Sequence, residues 1–544
     1  MPEVSLEVCK GVITLCFQAL SCDHDQALML LRIQKSPGSD EEAEGQFYEA
    51  NLLVQRWSIY WRSICLASRG QTMFPYHQYL RVLDLRDLKY LLEDPKFAGP
   101  VSKKFFSGEL AQLNRQVKRT SRRGNRYILF DIPSIINDIA DEIVSGTHSL
   151  EQVSGELSGV ALLRWVRRIP RLKTLELYNG DALAQTEVHE ALYEHCPHFQ
   201  ALSIYQWTGS ESDQQLGSFI LGLPNHTLTD FTTISSCGIA FETCRALNNH
   251  GKTLKRLRLN FASSSTPALA LLQECTNVED LHLEIPTSID MAASHNEVLE
   301  ALVGWLTKCV KLKEITLTEF KCAPAILTPL LLSDKIHLKE LTLNCTRSPY
   351  SIKDNRDFHF ALASQKSLET LNLRGDTQDL ERIDVDLIVE SVKQLVNLKS
   401  LKLRGLADYF EDDDVIRCLT PLTALEEVHF ATWTFPLLTA PNLDDGLVSD
   451  AVLPTLASLP KLYAITFGGP TQFTCNGLLD FVERLEDGRR IGYIAIDNAE
   501  EGFGMDEAQV ELVRATLRTK VGGRFEYVPI RGKYHDLLSC RDTV

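Results

Sequence analysis

Apolar residues recur along most of the chain in a six-residue pattern whose first, fourth and sixth positions are apolar. The clearest copy is Leu-Lys-Ser-Leu-Lys-Leu at residues 398–403. The middle apolar residue of the pattern returns at twelve positions: Leu175, Leu202, Phe231, Leu257, Leu281, Ile315, Leu341, Leu371, Leu401, Val428, Ile465 and Ile494. The first and last of these lie 319 residues apart in eleven steps, which gives a mean step of 29 residues. The pattern predicts a short strand, and the residues that follow each copy predict a turn and a helix.

A fixed period of this length is typical of a leucine-rich repeat. A single repeat cannot bury its own apolar face, but stacked repeats share a continuous core. The sequence therefore predicts an α/β leucine-rich-repeat solenoid of horseshoe shape. Parallel strands are expected on its concave face and helices on its convex face.

The periodicity divides the chain into four predicted regions. Residues 1–70 are expected to be helical, with a disordered loop near residues 35–45 that is almost without apolar side chains. Residues 71–150 hold a first repeat, a basic insertion and a degenerate repeat, and residues 151–500 hold the regular repeats. Residues 501–544 are expected to form a C-terminal cap and a tail, because the last repeat needs a cover.

The N-terminal region resembles the F-box of fungal proteins that also carry leucine-rich repeats. Residues 1–9, Met-Pro-Glu-Val-Ser-Leu-Glu-Val-Cys, are similar to the opening Leu-Pro-x-Glu-(Val/Leu)-Leu-x-x-Ile-Cys of that family. The stretch Gln55-Arg56-Trp57 is similar to the Ser-Arg-Xaa-Trp signature that closes an F-box. Residues 20–50 depart from the family, because they contain no recognisable middle F-box helix.

The resemblance implies a substrate-recognition subunit of a Skp–cullin–F-box ubiquitin ligase. In that case the N-terminal region binds a Skp-type adaptor, and the concave face of the repeats presents a protein substrate. The residues that carry the adaptor contact by this resemblance are Pro2, Val4, Leu6, Val8 and Trp57. The alternative is a leucine-rich-repeat scaffold outside ubiquitin transfer, whose N-terminal helices only cap the solenoid.

Side chains between the apolar residues of each strand alternate away from the core and are expected to line the concave face. Tyr178, Tyr205 and Trp207 are predicted to be exposed there, and exposed aromatic residues anchor many protein interfaces. A second set lies on adjacent strands about 5 Å apart and is predicted to converge on one acidic or phosphorylated group of a partner. This set is Arg374, Lys402 and Arg404. The alternative is that each of these charges only solvates its strand.

The formal net charge of −16 argues against a general nucleic-acid-binding surface, which needs a basic face. One segment has the opposite charge, with these basic residues: Lys103, Lys104, Arg115, Lys118, Arg119, Arg122, Arg123 and Arg126. The segment has two interpretations: a docking segment for an acidic partner, or a solvated insertion loop.

Fourteen cysteines in 544 residues do not form a disulfide scaffold. Cys196, Cys275 and Cys309 share one repeat position, where a reduced thiol closes the helix end as a small apolar side chain.

No apolar run reaches the roughly 18 residues of a membrane span. Glu3 and Glu7 precede the apolar N-terminal stretch, where a secretory signal carries positive charge. We therefore expect an intracellular protein, cytoplasmic or nuclear, that enters no membrane.

The sequence contains no motif of a known catalytic site, so we expect no enzyme activity and no cofactor. Gly251-Lys252-Thr253 lacks the earlier glycine of a phosphate-binding loop, and Gly251 is expected to end a helix instead. The densest group of potential metal ligands is His189, His195, Cys196 and His198. No second pair stands at zinc spacing, so we expect no metal. The acidic run at residues 411–414 is expected to open a helix.

Overall fold

The computed structural model describes residues 40–120, 126–235, 237–346, 350–376, 381–406, 410–431, 448–468, 471–486, 489, 491–499 and 504–529. Pro2, Val4, Leu6 and Val8, predicted from the resemblance to contact an adaptor, lie outside the described residues. The chain forms two compact units, Met1–Ser235 and Ser236–Val544. Among the described residues, no helix combines the length and the apolar character that a bilayer crossing requires.

The first unit contains seven strands and seven α-helices among its described residues. The strands are β1 (Val82–Asp84), β2 (Gln116–Thr120), β3 (Arg126–Phe130), β4 (Gln152–Gly155), β5 (Thr174–Asn179), β6 (Ala201–Gln206) and β7 (Asp230–Thr233). The helices are α1 (Asp40–Ser68), α2 (Leu85–Glu93), α3 (Pro100–Phe105), α4 (Ile132–Gly146), α5 (Gly159–Val166), α6 (Thr186–His195) and α7 (Ser212–Gly222). Short 3-10 helices span Tyr76–Tyr79, Gly108–Leu113 and Gly180–Leu183. The parallel strand order is β1-β4-β5-β6-β7, and β2 and β3 form a separate antiparallel hairpin.

The second unit repeats the same strand–helix alternation. Its strands are β8 (Arg256–Asn260), β9 (Asp280–Ile289), β10 (Glu314–Phe320), β11 (Glu340–Asn344), β12 (Tyr350–Ser351), β13 (Thr370–Asp376), β14 (Ser400–Arg404), β15 (Glu427–Ala431), β16 (Val448–Ser449), β17 (Ala464–Gly468), β18 (Thr471–Gln472), β19 (Tyr493–Ala499) and β20 (Arg524–Pro529). The parallel order is β8-β9-β10-β11-β13-β14-β15-β17-β19-β20; β12 pairs with β13, and β16 pairs with β18.

The α-helices of the second unit lie between these strands in sequence. They are α8 (Phe241–Leu247), α9 (Met291–Ser294), α10 (Asn296–Leu306), α11 (Ala323–Leu331), α12 (Arg356–Leu362), α13 (Arg382–Val392), α14 (Asp412–Leu419), α15 (Leu453–Ser458), α16 (Cys475–Arg484) and α17 (Glu507–Val521). Short 3-10 helices span Asn248–His250, Ser263–Leu271, Lys353–Asn355 and Asp450–Val452.

The predicted apolar positions lie in register on neighbouring strands, which confirms the repeat. In the first unit the row of Cα partners is Leu83, Val153, Leu175, Leu202 and Phe231. In the second unit it is Leu257, Leu281, Ile315, Leu341, Leu371, Leu401, Val428, Ile465, Ile494 and Phe525. Every member of both rows is buried. Each strand thus contributes one side chain at the same depth to a shared core, as expected of a leucine-rich-repeat solenoid.

The repeated cysteine position lies at helix ends, as predicted. The Cys196 thiol is 3.4 Å from the carbonyl oxygen of Val166, one repeat earlier. The Cys309 thiol is 3.5 Å from the carbonyl oxygen of Trp305, and the indole N–H of Trp305 donates to the carbonyl of Cys275 at 3.0 Å. Burial raises the pKa of Cys309 to about 12, so this thiol stays protonated and acts as a small core side chain.

The N-terminal region differs from the prediction where helix α1 begins. The helix starts at Asp40, so residues 40–45, predicted as part of a loop, lie in its first turns. Within α1, Val54, Trp61 and Ile64 are buried at helical spacing, so one stripe of the helix faces the core of its unit. The acidic composition of residues 40–45 favoured a loop, whereas the structure includes them in helix α1.

The described part of the C-terminal region contains one helix, α17, followed by one strand, β20. Asp506 caps helix α17, since its carboxylate accepts a hydrogen bond from the backbone N–H of Gln509 at 2.8 Å. Strand β20 then pairs with β19, so the last regular strand does not present an open edge.

Candidate functional site

The outward-facing side chains of the parallel strands form the candidate site. In each strand the apolar positions face the helices, and the residues between them face away because successive side chains alternate. The burial pattern of β14, for example, alternates between half-buried and buried residues from Ser400 to Arg404. We refer to the outward positions as the strand face and describe it for each unit in turn.

The strand face of the first unit carries a stacked pair of tyrosines. The ring centroids of Tyr178 and Tyr205 are 5.0 Å apart, and their planes differ by 9°. The two side chains are 39% and 43% exposed. Lys89 places its ammonium group 5.6 Å from the ring centroid of Tyr178, within the range of a cation–π contact. The pair therefore forms an exposed aromatic surface, and both tyrosines are exposed as the sequence predicted.

The third predicted aromatic residue is not exposed, so that part of the prediction is wrong. Trp207 is only 2% exposed. Strand β6 ends at Gln206, so the alternation of side chains does not continue to the next residue. The indole packs against Gly180, where an added Cβ would lie 2.2 Å from the ring. Trp207 therefore belongs to the core, and Gly180 is required for its close approach.

Polar residues beside the tyrosine pair are held by one another. Glu176 of β5 accepts hydrogen bonds from the Gln152 amide at 2.9 Å and from the Ser154 hydroxyl at 3.1 Å. Arg86 also lies 3.1 Å from Glu176 and pairs with Asp84, which raises the pKa of the guanidinium. The charges of Glu176, Arg86 and Asp84 are paired with one another within the unit. The tyrosine pair is therefore a better candidate for contact with a partner than these charged side chains are.

The strand face of the second unit is acidic over β9, β10 and β11. Asp280, Glu314 and Glu340 are consecutive Cα partners on these strands. Arg258 pairs with Asp280, with 2.6 Å between Nη2 and Oδ2. Burial, followed by the two neighbouring carboxylates, raises the pKa of Glu314 above its ordinary value. The ionised form of Glu314 is therefore less favourable in this position than it is in water.

Two arginines lie side by side on the same face over β13 and β14. Arg374 and Arg404 are Cα partners, as the sequence predicted, and Arg374 is only 7% exposed. Burial, followed by the positive charge of Arg404, lowers the pKa of Arg374. The positive charge of Arg404 therefore disfavours the protonated state of Arg374, and an anion placed against both guanidinium groups is favoured.

Lys402, the third predicted basic residue, already has an acidic neighbour. Its Nζ lies 3.0 Å from Oε1 of Glu427, which also accepts a hydrogen bond from the Ser400 hydroxyl at 2.8 Å. Next to it on β15, burial followed by the charges of Arg404 and Lys402 lowers the pKa of His429 to about 4. The imidazole is therefore neutral near pH 7 and adds no positive charge to this face.

Glu319 adds a carboxylate to this surface that the sequence did not reveal. Its φ is 65°, and its side chain is 6% exposed near the end of β10. The carboxylate accepts hydrogen bonds from the backbone N–H of Thr346 at 2.9 Å and from the hydroxyl of the same residue. Its charge favours the protonated state of Arg374. A single glutamate after an apolar strand is common, so no pattern singled it out.

Arginine–aspartate pairs connect helices α12, α13 and α14 on the helix side. Arg356 Nε lies 2.6 Å from Asp384, and Arg382 Nη1 donates to Asp414 at 2.8 Å. Both aspartate side chains are fully buried and close the capping boxes of their helices. Residues 411–414 do open helix α14, as predicted. These pairs fasten each helix to the next and leave the strand face as the candidate site.

The other candidate chemistries have structural explanations. Gly251 ends the 3-10 helix Asn248–His250, as expected, and its φ is −54°. An added Cβ would lie 2.1 Å from the carbonyl oxygen of Glu274. His189 packs edge to face on Phe219, and the Cys196 thiol lies against the carbonyl oxygens of Val166 and Ile169. Within the described part of the chain, no three potential ligands are grouped to hold a metal ion.

Comparison with protein-family models and with curated proteins finds no match. Among solved structures, a chain of the yeast Rad7–Elc1 complex is similar over 67% of this chain and 78% of its own length, at 15% identity and a TM-score of 0.36. An internalin, InlF of Listeria monocytogenes, is similar over 68% of this chain and 88% of its own, at 16% identity and a TM-score of 0.36. The leucine-rich-repeat protein LegL7 of Legionella pneumophila is similar over 54% of this chain and 86% of its own, at 14% identity and a TM-score of 0.30.

The class of this chain follows from its own strand registers. Parallel strands joined through helices at a step of about 29 residues define a leucine-rich-repeat solenoid. The strand face carries the stacked pair Tyr178 and Tyr205 in the first unit and the pair Arg374 and Arg404 in the second unit. A function for the chain has to account for these two pairs.

Proposed function

We propose that the chain is a protein-interaction subunit that holds a protein partner on its strand face. The observation that carries the proposal is the register of Arg374 with Arg404, which places two guanidinium groups side by side on the strand face. An acidic or phosphorylated group of a partner relieves their repulsion and forms charge-assisted hydrogen bonds with both. The stacked Tyr178–Tyr205 pair supplies an apolar contact of the kind that dominates interface energetics.

The test is quantitative affinity purification with the full chain and two charge-matched double variants. Arg374→Glu with Arg404→Glu is expected to lower recovery of the partner at least tenfold, since loss of a desolvated charge contact costs about 2 kcal/mol or more. Lys308→Glu with Lys335→Glu makes the same charge change at exposed positions near helix ends and is expected to leave recovery unchanged. Arg404→Gln alone serves as a milder variant, and thermal unfolding checks that each variant is folded.

Equal recovery by the wild type and both arginine variants contradicts the proposal. Phosphatase treatment of the partner separates the two acidic chemistries. Loss of binding after treatment indicates a phosphorylated group, and retained binding indicates carboxylates.

For the N-terminal region we propose the role implied by its F-box resemblance, an adaptor contact in a Skp–cullin–F-box ubiquitin ligase. Trp57, the described member of the predicted contact set, is half-buried in α1. The other members, Pro2, Val4, Leu6 and Val8, lie outside the described residues. In this role the chain performs no catalysis itself and presents a substrate to its partners.

Deletion of residues 1–39 tests the adaptor contact, because it leaves the buried stripe of α1 in place. Co-purification with a Skp-type adaptor is expected for the full chain and not for the deletion variant. Equal adaptor recovery by both chains contradicts the assignment of Pro2, Val4, Leu6 and Val8.

The second candidate function is a repeat scaffold whose N-terminal helices only cap the solenoid. The packing of α1 favours it for the described part of this region. Trp61 is buried, and Arg62 donates hydrogen bonds to the carbonyls of Phe105 and Ser107 in the same unit. Arg69 also pairs with Glu142 of α4 at 2.8 Å. If the full chain recovers no Skp-type adaptor in the co-purification, the result supports the function as a repeat scaffold.

A further inference from the structure

The basic insertion of the first unit forms a β-hairpin rather than a loop. Strands β2 and β3 pair antiparallel, with Val117 opposite Leu129 and Lys118 opposite Ile128. They form a sheet of two strands, and no third strand joins it among the residues that the structure describes. Isolated two-stranded hairpins are marginally stable in water, so such a hairpin gains stability from a further strand.

The hairpin is anchored at its base by aromatic side chains. Phe130, the last residue of β3, places its ring centroid 5.5 Å from that of Phe106 and 6.0 Å from that of Phe97. Both of these phenylalanines are buried. Arg115 adds an ion pair with Asp138 of α4 at 2.5 Å. The hairpin therefore extends from a fixed base.

Away from this base the hairpin exposes both apolar and basic side chains. Ile128 is 59% exposed and Leu129 is 47% exposed. Because successive strand residues point to opposite faces, neither face of the hairpin is covered at these positions. Lys118 and Arg119 are exposed on the opposing strand, also one on each face. This combination differs from a solvated loop, which carries charges without a paired backbone or exposed aliphatic residues.

The hydrogen-bond pattern shows which backbone groups point outward. The Asp131 N–H donates to the Arg115 carbonyl at 3.0 Å. Bonded and non-bonded residue pairs alternate along an antiparallel ladder, so the pair formed by Lys118 and Ile128 is of the non-bonded kind. The backbone N–H and C=O of Lys118 therefore face the outer edge of β2, and those of Ile128 face the outer edge of β3.

We propose that the outer edge of β2 is a docking site for an extended, acidic segment of a partner protein, which adds a third strand to the hairpin. The backbone of Lys118 supplies hydrogen bonds to the added strand. The side chains of Lys118 and Arg119 flank this edge on its two faces and pair with carboxylates of the segment. The site lies outside the strand face and does not depend on the function proposed for it.

The observations favour a protein segment over a nucleic acid. A nucleic-acid surface tracks phosphates with many cations and stacks bases on aromatic rings. The described hairpin exposes aliphatic Ile128 and Leu129 on the strand opposite Lys118 and Arg119, a mixed surface that suits a peptide with both apolar and acidic side chains. An extended peptide pairs with the outward backbone groups of β2, which a nucleic acid does not.

The test measures binding of a fluorescein-labelled eight-residue peptide of alternating valine and glutamate to the full chain by fluorescence anisotropy. A second peptide carries N-methyl groups on alternate residues, which keeps its charge and removes its hydrogen-bond donors on one edge. A third peptide, of alternating valine and lysine, controls for the sign of the charge. A single-stranded oligothymidine with the same net charge as the valine–glutamate peptide controls for binding of any polyanion.

Four variants locate the site. Lys118→Ala removes one charge, and Lys118→Pro also removes the outward N–H without breaking the bonds between β2 and β3. Ile128→Pro makes the matched backbone change on the other edge. Lys118→Glu with Arg119→Glu reverses both charges. Circular dichroism and thermal unfolding confirm that each variant keeps the fold.

The proposal predicts saturable binding of the valine–glutamate peptide and at least tenfold weaker binding of its N-methylated form. Lys118→Pro is expected to weaken binding of this peptide more than Lys118→Ala does. The double charge reversal is expected to weaken it at least tenfold, and Ile128→Pro is expected to change it little. Absent binding of the valine–glutamate peptide, equal binding of the N-methylated peptide, or tighter binding of the oligothymidine would overturn it.

Discussion

Arginines on the helix side and on the strand face of the second unit meet opposite electrostatic surroundings. On the helix side, hydrogen bonds and charges of Asp414 and its acidic neighbours raise the pKa of Arg382. On the strand face, burial and Arg404 lower the pKa of Arg374. The first arrangement stabilises the stack of repeats. The second places two guanidinium groups in register on the strand face, where we propose that an acidic group of a partner binds.

Asp414 tests the structural half of this comparison and is expected to have the largest effect. Its buried carboxylate accepts hydrogen bonds from Arg382 and Arg417 and closes the capping box of α14. Asp414→Ala leaves two arginines without this partner and is expected to lower the free energy of unfolding by about 3 kcal/mol. Chemical denaturation measures the change.

Asp413 provides the matched control, because its side chain is 76% exposed in the same acidic run. Asp413→Ala is expected to change stability by less than about 0.5 kcal/mol. Similar losses for the two variants would contradict the structural role of the buried pair.

His359 of α12 adds a pH dependence on the helix side. It is fully buried beside Tyr350 and Phe358, and neither ring nitrogen has a hydrogen-bond partner in the described structure. Burial lowers its pKa to about 4, although Asp384 opposes the shift. The unfolded state therefore binds a proton first as pH falls, and the stability contribution is lost between about pH 6.5 and pH 4.

The expected loss over this range is about 2 to 3 kcal/mol, from one proton over roughly two pH units. His359→Phe removes the titrating group and is expected to flatten this part of the stability profile. Denaturation midpoints for wild type and variant between pH 7 and pH 4 measure the difference. An unchanged profile in the variant would assign the pH dependence to other groups.

Neutral replacements of the arginines compare the two sides directly. Arg382→Met is expected to lower the free energy of unfolding by about 1 to 2 kcal/mol, because it removes one partner of the buried Asp414. Arg404→Met is expected to change it by less than about 0.5 kcal/mol or to raise it, since it relieves repulsion with Arg374. Equal destabilisation by the two variants would remove the distinction between the sides.

The smallest predicted effect is a change in the pKa of His429. Burial and then the charges of Arg404 and Lys402 hold it at about 4. Arg404→Met removes one positive neighbour, so the pKa is expected to rise. Titration of the imidazole by NMR measures the shift, and Lys308→Met is a control at a distant exposed position. A fall in the pKa would show that the electrostatics of this face are misassigned.

The core of the fold was predictable because the repeat imposes one period on local sequence. The rows from Leu175 to Ile494 follow directly from the spacing of apolar residues. The side-by-side arrangement of Arg374 and Arg404 was also predictable, since neighbouring strands in register bring equivalent positions together.

Other features depend on where elements end and on contacts between distant residues. Trp207 was assigned to the wrong side because β6 ends one residue earlier. The pairs of Arg382 with Asp414 and of Arg356 with Asp384 join residues about one repeat apart, which no local pattern connects. The pairing of strands β2 and β3 was not predicted, because the basic composition of this segment resembles that of a loop.

The central claim is that the strand face, and not the helix side, contacts the partner. Hydroxyl-radical footprinting of the first unit, with and without the purified partner, tests it through three exposed tyrosines. Tyr178 and Tyr205 lie on the strand face, and Tyr193 lies on helix α6 with 61% exposure. Oxidation of Tyr178 and Tyr205 is expected to fall several-fold on binding, with Tyr193 unchanged. Protection of Tyr193 with unchanged oxidation of the stacked pair would contradict the claim.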